Sequence, residues 1–75
     1  MAKIILLPDE QFEHSHNVES ESKLINGIVK FTIDGSTIKL KVGDAIKIPA
    51  NKLHCIHNIG QTEAIIDCLH YPPSN

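Results

Sequence analysis

The stretch IVKFTIDGSTIKLKVGD, residues 28–44, decides how this chain folds. Val29, Phe31 and Ile33 alternate with Ile28, Lys30 and Thr32, and after Asp34-Gly35 the residues Ile38, Leu40 and Val42 alternate with Thr37, Lys39 and Lys41. Alternation of period two is the signature of a strand with one face inward. Asp34-Gly35 is a strong two-residue hairpin signal, because both positions tolerate positive φ. The segment therefore predicts an antiparallel hairpin of strands 28–33 and 37–42, with one apolar face and one lysine-bearing face.

The same pattern continues in both directions. Gly43-Asp44 makes a turn, and AIKIP follows as a short strand with Ile46 and Ile48 inward, stopped by Pro49, which cannot donate to a ladder. LHCIHNI and EAIIDCLHY read as two further strands joined by a turn around Gly60. At the front, KIILL reads as a strand, and EQFEHSH as another after Pro8. The closing PPSN, residues 72–75, is a tail that cannot extend a sheet. Roughly seven short strands with regular turns and no helix predict an all-β fold, a small antiparallel barrel or sandwich. No repeat or linker divides residues 1–75, so one domain is expected.

Composition narrows the function classes. The chain has 75 residues, 41% of them hydrophobic, enough for an aliphatic core but near the lower limit for one that supports itself. Help from a metal, a tight barrel or a partner chain is expected at this size. All seven basic residues are lysines, set against nine acidic ones. Without arginine or a basic stripe, nucleic acid is excluded as the expected partner. The apolar run near the N-terminus is too short for a signal peptide core or a membrane span. Two cysteines, Cys55 and Cys68, are too few for a disulfide framework, so a cytoplasmic protein with reduced thiols is the expectation.

His14 and His16 stand two apart, so on a strand both side chains project from one face. His54 follows the Pro49 turn and opens another strand. If the faces match, three imidazoles converge from neighbouring strands and leave coordination positions open, as a catalytic metal requires. By alternation His57 and Cys55 face away from His54. On the last strand Cys68 and His70 share one face, and Ile65, Asp67 and Leu69 the other; alternation alone does not decide which face is inward. An inward Asp67 would be a candidate base, and Phe12 and Phe31 are candidates for the cavity's edge.

The segment GDAIKIPANKLHCIHN resembles the second motif of the cupin superfamily, with Gly43, Pro49, His54 and Asn58 at the family's spacing and Asn51 in place of its second glycine. Asn is the common substitute where a left-handed conformation is needed. Residues 8–27 resemble the first motif, with His14, His16 and Gly27 in register and Pro8 replacing the first glycine. The resemblance implies a small cupin β-barrel, often dimeric, with a metal in its mouth. It also implies that Asn58 bonds a turn rather than reacting. The family's glutamate ligand position falls on Ser20, with Glu19 and Glu21 flanking it. Glu21 fits only if a bulge corrects its face. Ser20 and Glu21 therefore both stay open as fourth ligand, and a three-histidine site is expected.

The resulting expectation is a metal-binding mini-cupin holding one divalent transition metal (Fe, Mn, Co, Ni, Cu or Zn) with His14, His16 and His54, acting on a small, partly apolar molecule. Dioxygenase, isomerase and lyase chemistries are all implied by the resemblance, with Asp67 and Glu21 as weak candidates for a catalytic role. Two alternatives stand beside it: a non-enzymatic binding or sensing module, and a structural homodimer with vestigial histidines. The apolar AKIILL segment predicts that residues 3–7 pair with a partner's sheet.

Overall fold

The computed structural model describes residues 2–71; the tail expected at 72–75 lies outside the described residues. The described residues form eight strands and no helix: β1 (Ala2–Leu6), β2 (Gln11–His14), β3 (Glu19–Asn26), β4 (Ile28–Ile33), β5 (Ser36–Lys41), β6 (Ala45–Ile48), β7 (His54–Asn58) and β8 (Ala64–Tyr71). They make two antiparallel four-stranded sheets, ordered β1-β8-β3-β6 and β2-β7-β4-β5. No helix among the described residues is long and apolar enough to cross a membrane.

The expected hairpin is β4–β5, paired from Ile28↔Lys41 to Ile33↔Ser36. Asp34 and Gly35 both adopt positive φ, 53° and 78°, which fits the right-handed twist of the strands they join. Val29 and Phe31 are fully buried and Leu40 nearly so. Ile38 and Val42, expected on the same apolar face, are exposed instead. β5 is the edge of its sheet and Val42 lies beyond its end, so neither has a facing layer to cover it.

β3 is the strand that the sequence hides. Its inward positions are Ser20, Ser22 and Leu24, all buried, so its alternation is written in hydroxyls rather than aliphatics. It sits in the middle of its sheet, between β8 and β6.

The core fills the space between the sheets. Leu6, Leu24, Ile48, Ala64, Ile66 and Cys68 come from one sheet, and Val29, Phe31, Leu40 and Ile56 from the other. Asn58 is buried at one end of this core and fully bonded. Its Nδ2 donates to the Leu6 and Thr62 carbonyls at 3.0 and 2.9 Å, and its Oδ1 accepts from Gly60 N at 2.9 Å.

β1 pairs with β8 of its own chain, from Ala2↔Cys68 to Leu6↔Ala64. The segment expected to reach a partner thus spends one edge within the barrel. It remains the terminal strand of its sheet.

Gly27, between β3 and β4, combines φ of +91° with backbone at close range. A Cβ there would lie 3.0 Å from Ala64 Cα and 3.1 Å from the Glu63 carbonyl oxygen. Both a strained φ and a clash with backbone follow from any side chain. Gly27→Ala is expected to lower unfolding free energy by about 1–3 kcal/mol, measured by urea denaturation, whereas Gly35→Ala, with open space around it, is expected to lose less.

Candidate metal centre

The inward face of β2 carries Phe12 and His14, and that of β7 carries His54, Ile56 and Asn58. The register pairs His14 with His54 and Phe12 with Ile56, so the two strands deliver both imidazoles side by side. His14 and His54 rings meet edge to face with centroids 4.2 Å apart. Phe12 packs edge-on against His14 at 4.4 Å, and Phe31 lies nearly parallel beneath His54 at 6.3 Å.

His16 reaches the same place by a different route from the one alternation predicts. β2 ends at His14, and His16 lies in the irregular segment before β3. Its ring nevertheless sits 4.3 Å from that of His14 and 5.6 Å from that of His54. A backbone bond holds it: Asn51 N donates to the His16 carbonyl oxygen at 2.6 Å.

Asn51 adopts φ of 64°, the left-handed conformation expected of a residue standing where the motif has glycine. The turn it makes serves two histidines at once. Its N–H anchors His16, and one residue later the Lys52 carbonyl accepts from His54 Nδ1 at 3.1 Å. With its proton on Nδ1, His54 presents the lone pair of Nε2 inward. That Nε2 is buried and has no hydrogen-bond partner. Donor nitrogens of His14, His16 and His54 all lie within 4.8 Å of one another, close enough to share one ion. Three neutral imidazoles, one oriented by a carbonyl on its far nitrogen, are a donor set suited to a divalent transition metal.

Burial pushes the His14 imidazolium down to about 4, with the neighbouring His54, His16 and His70 adding to the shift. His16 is lowered too, by burial first and then by His70 and His54. Both rings therefore stay neutral and metal-competent at pH 7.

The other sequence candidates separate by face. Ser20 is inward, 1% exposed, and its hydroxyl has no partner. Glu21 faces the other side of the sheet, where the Tyr71 hydroxyl donates to its Oε1 at 3.2 Å. Asp67 also faces outward, 4.0 Å from Lys3 Nζ. Cys55 lies near Gln11, and His57 pairs with Asp9 at 2.9 Å, both on the face opposite His54. A groove of about 310 Å³ is lined by Glu13, Thr32, Asp34, Leu53, His54 and Cys55, so it touches one of the three histidines and not His14 or His16.

The last strand settles the face that alternation left open: Cys68 and His70 point inward. Burial pushes the Cys68 thiol up, the Asp67 charge adds to this, and the contact with Ser22 at 3.7 Å opposes it. Cys68 is therefore a thiol at neutral pH, not a thiolate donor. His70 Nε2 lies 3.3 Å from His16 Nε2, which makes it the residue at this site that sequence reasoning did not select. The parity it shares with buried Ala64 and Ile66 was the available signal, masked by equally apolar Ile65 and Leu69 on the other face.

The Cupin_2 family model, "Cupin domain", matches residues 3–70. An uncharacterized protein of Methanocaldococcus jannaschii is 36% identical over 61 residues, 80% of this chain and 49% of that protein. The chain thus spans about half the length of the curated relative it matches. The Cupin_2 domain of an XRE family transcriptional regulator from Enterobacter cloacae superposes with a TM-score of 0.85 at 24% identity, covering 96% of this chain and 79% of that one. A de novo designed double-stranded β-helix superposes with a TM-score of 0.82 at 18% identity, covering 93% of this chain and 96% of the design. Such identities carry the fold alone.

The depressed pKa of His14 has a consequence for metal-free protein. Unfolded histidine titrates near 6.5, so between that pH and about 4 the unfolded chain binds protons that folded His14 refuses. Stability is then full above 6.5 and falls as the pH drops through this window. Urea midpoints of metal-free protein at pH 7.5, 5.5 and 4.5 are expected to decline in that order, and less steeply in His14→Asn.

Proposed function

The chain belongs to the cupin family, and from that premise we propose that it binds one divalent transition metal ion through His14, His16 and His54 and presents it to a small molecule at the barrel mouth. One observation carries the reading. His54 Nε2 is buried without a partner while its Nδ1 is held by the Lys52 carbonyl. Leaving such a nitrogen unpaired costs about 1–3 kcal/mol, which an ion at that position removes.

A bound ion would supply Lewis acidity to polarise a carbonyl or carboxylate oxygen or, as Fe(II), would supply dioxygen activation. The protein's part is to hold three neutral donors and to shield them. Because none of these ligands is anionic, the ion keeps its full charge for an oxygen-bearing ligand. Phe12, partly exposed and packed on His14, adds an apolar wall that suits a small and partly apolar molecule, while Phe31 backs His54 from within the core.

A second reading, a sensing module that binds without turnover, is favoured by a specific feature. Glu21 and Asp67, the carboxylates considered as catalytic groups, are turned to the outer face, where Glu21 accepts from Tyr71 and Asp67 lies 4.0 Å from Lys3 Nζ.

A homodimer also belongs to the proposal. The outer face beside the terminal strand β1 exposes Ile5, at 54% and directly opposite Ile65, and Leu69, at 41%, further along β8 beyond Asp67 and Lys3. An apolar face next to an open strand edge is a surface that a second copy can cover.

Elemental analysis of untagged protein is expected to give close to one metal per chain, and His54→Ala less than about one-tenth of that. No metal in the wild type, or equal loading in the variant, would overturn the three-histidine site. Sedimentation at micromolar concentration is expected to give a dimer, and Ile5→Lys a monomer; a wild-type monomer would sink the dimer.

A further inference from the structure

We propose that His70 donates a fourth nitrogen to the ion held by His14, His16 and His54, an inference that rests on the three-histidine reading above. The ligand comes from the last strand, β8, rather than from β3.

The geometry starts with two nitrogens. His70 Nε2 and His16 Nε2 face each other at 3.3 Å, with ring centroids 4.3 Å apart. Bonds of about 2.1 Å to one ion at a tetrahedral angle separate two ligand nitrogens by about 3.4 Å. The pair already stands at that spacing. As a bare hydrogen bond it would need one ring protonated on Nε2 and the other not, which would remove His16 Nε2 or His70 Nε2 as a free donor.

The register explains why a histidine is useful there. Ser20 pairs directly with His70 across the β3–β8 ladder, and both face inward. Ser20 is the inward position on β3 at this level of the barrel. Its hydroxyl is short, neutral, buried and without a partner. Beside that short side chain, on the neighbouring strand and at the same height, stands a longer one whose nitrogen meets His16. That nitrogen lies outside the 4.8 Å set formed by His14, His16 and His54 and has to swing inward to join it. The donor has moved sideways by one strand.

The fourth imidazole changes what the site can do. A tetrahedral ion such as zinc would be closed by four nitrogens and hold no substrate. An ion that accepts six ligands, such as Mn, Fe, Co or Ni, would keep two positions for a bidentate oxygen ligand. His70 therefore selects for function among the metals that three imidazoles would accept alike.

The test is a long-range proton–nitrogen NMR spectrum of the histidine rings in wild-type protein, with and without one equivalent of zinc. His57, bonded to Asp9 on the outer face, is the internal unbound control. Four rings with one nitrogen each moved to the metal-bound range, those of His14, His16, His54 and His70, are expected. Zinc titration of His70→Ala should then show affinity lowered by at least about 10-fold at unchanged stoichiometry. Three bound rings, with His70 unmoved, would overturn the fourth ligand and leave the three-histidine site standing. No moved ring at all would remove both.

Discussion

One buried amide ties this barrel together. Asn58 is the last residue of β7, in one sheet, and its side chain donates to Leu6 at the end of β1, in the other. The same side chain closes the turn to β8 through Gly60 and Thr62, and its backbone exchanges bonds with Asp9 and Glu10. Every polar atom of the amide is used, so the group is buried without an unpaired donor. Elsewhere the sheets meet through apolar packing, their connecting loops and backbone bonds such as that from Gly43 N to the Leu24 carbonyl. The position of β7, and hence of His54 at its other end, depends on the Asn58 amide.

The interior of so small a barrel has to be both core and site. Each strand offers one inward face, and the two uses are separated along its length. On β8 the inward sequence runs Ala64, Ile66, Cys68, His70, from dry to polar, and on β3 in reverse it runs Leu24, Ser22, Ser20. Phe31 and Ile56 close the apolar end under His54. The gradient lets unprotonated His14 and His16 stand next to a core: burial lowers both, and a neutral imidazole is what a metal requires.

Most of the fold could be read from the sequence because its turns carry distinctive chemistry. Asp34-Gly35 and Asn51 each demand positive φ, and each adopts it. Alternation put His14 and His16 on one face and left that of His54 open; the pairing of β2 with β7 is what sets His54 beside His14. His16 arrived by a hydrogen bond from Asn51 that no periodicity encodes. β3 was obscured because serines occupy positions where aliphatics announce a buried face. His70 was undecided because both faces of β8 are apolar enough to be inward, and only pairing with β1 and β3 chooses between them. Where the neighbour decides, one strand's own pattern is silent.

The antiparallel pairing of β1 with β8 carries a practical consequence. Ala2 stands opposite Cys68, and β8 runs on past it through His70 to Tyr71. The first and last described strands therefore both emerge on the side of the barrel where the histidines gather. Any peptide appended to either would begin within a few residues of the mouth, tethered at millimolar effective concentration. A polyhistidine purification handle would act there as an intramolecular chelator, and a fused domain as a cover. The opposite rim, around Gly27 and Glu63, is the place from which this barrel can be held without crowding the histidines.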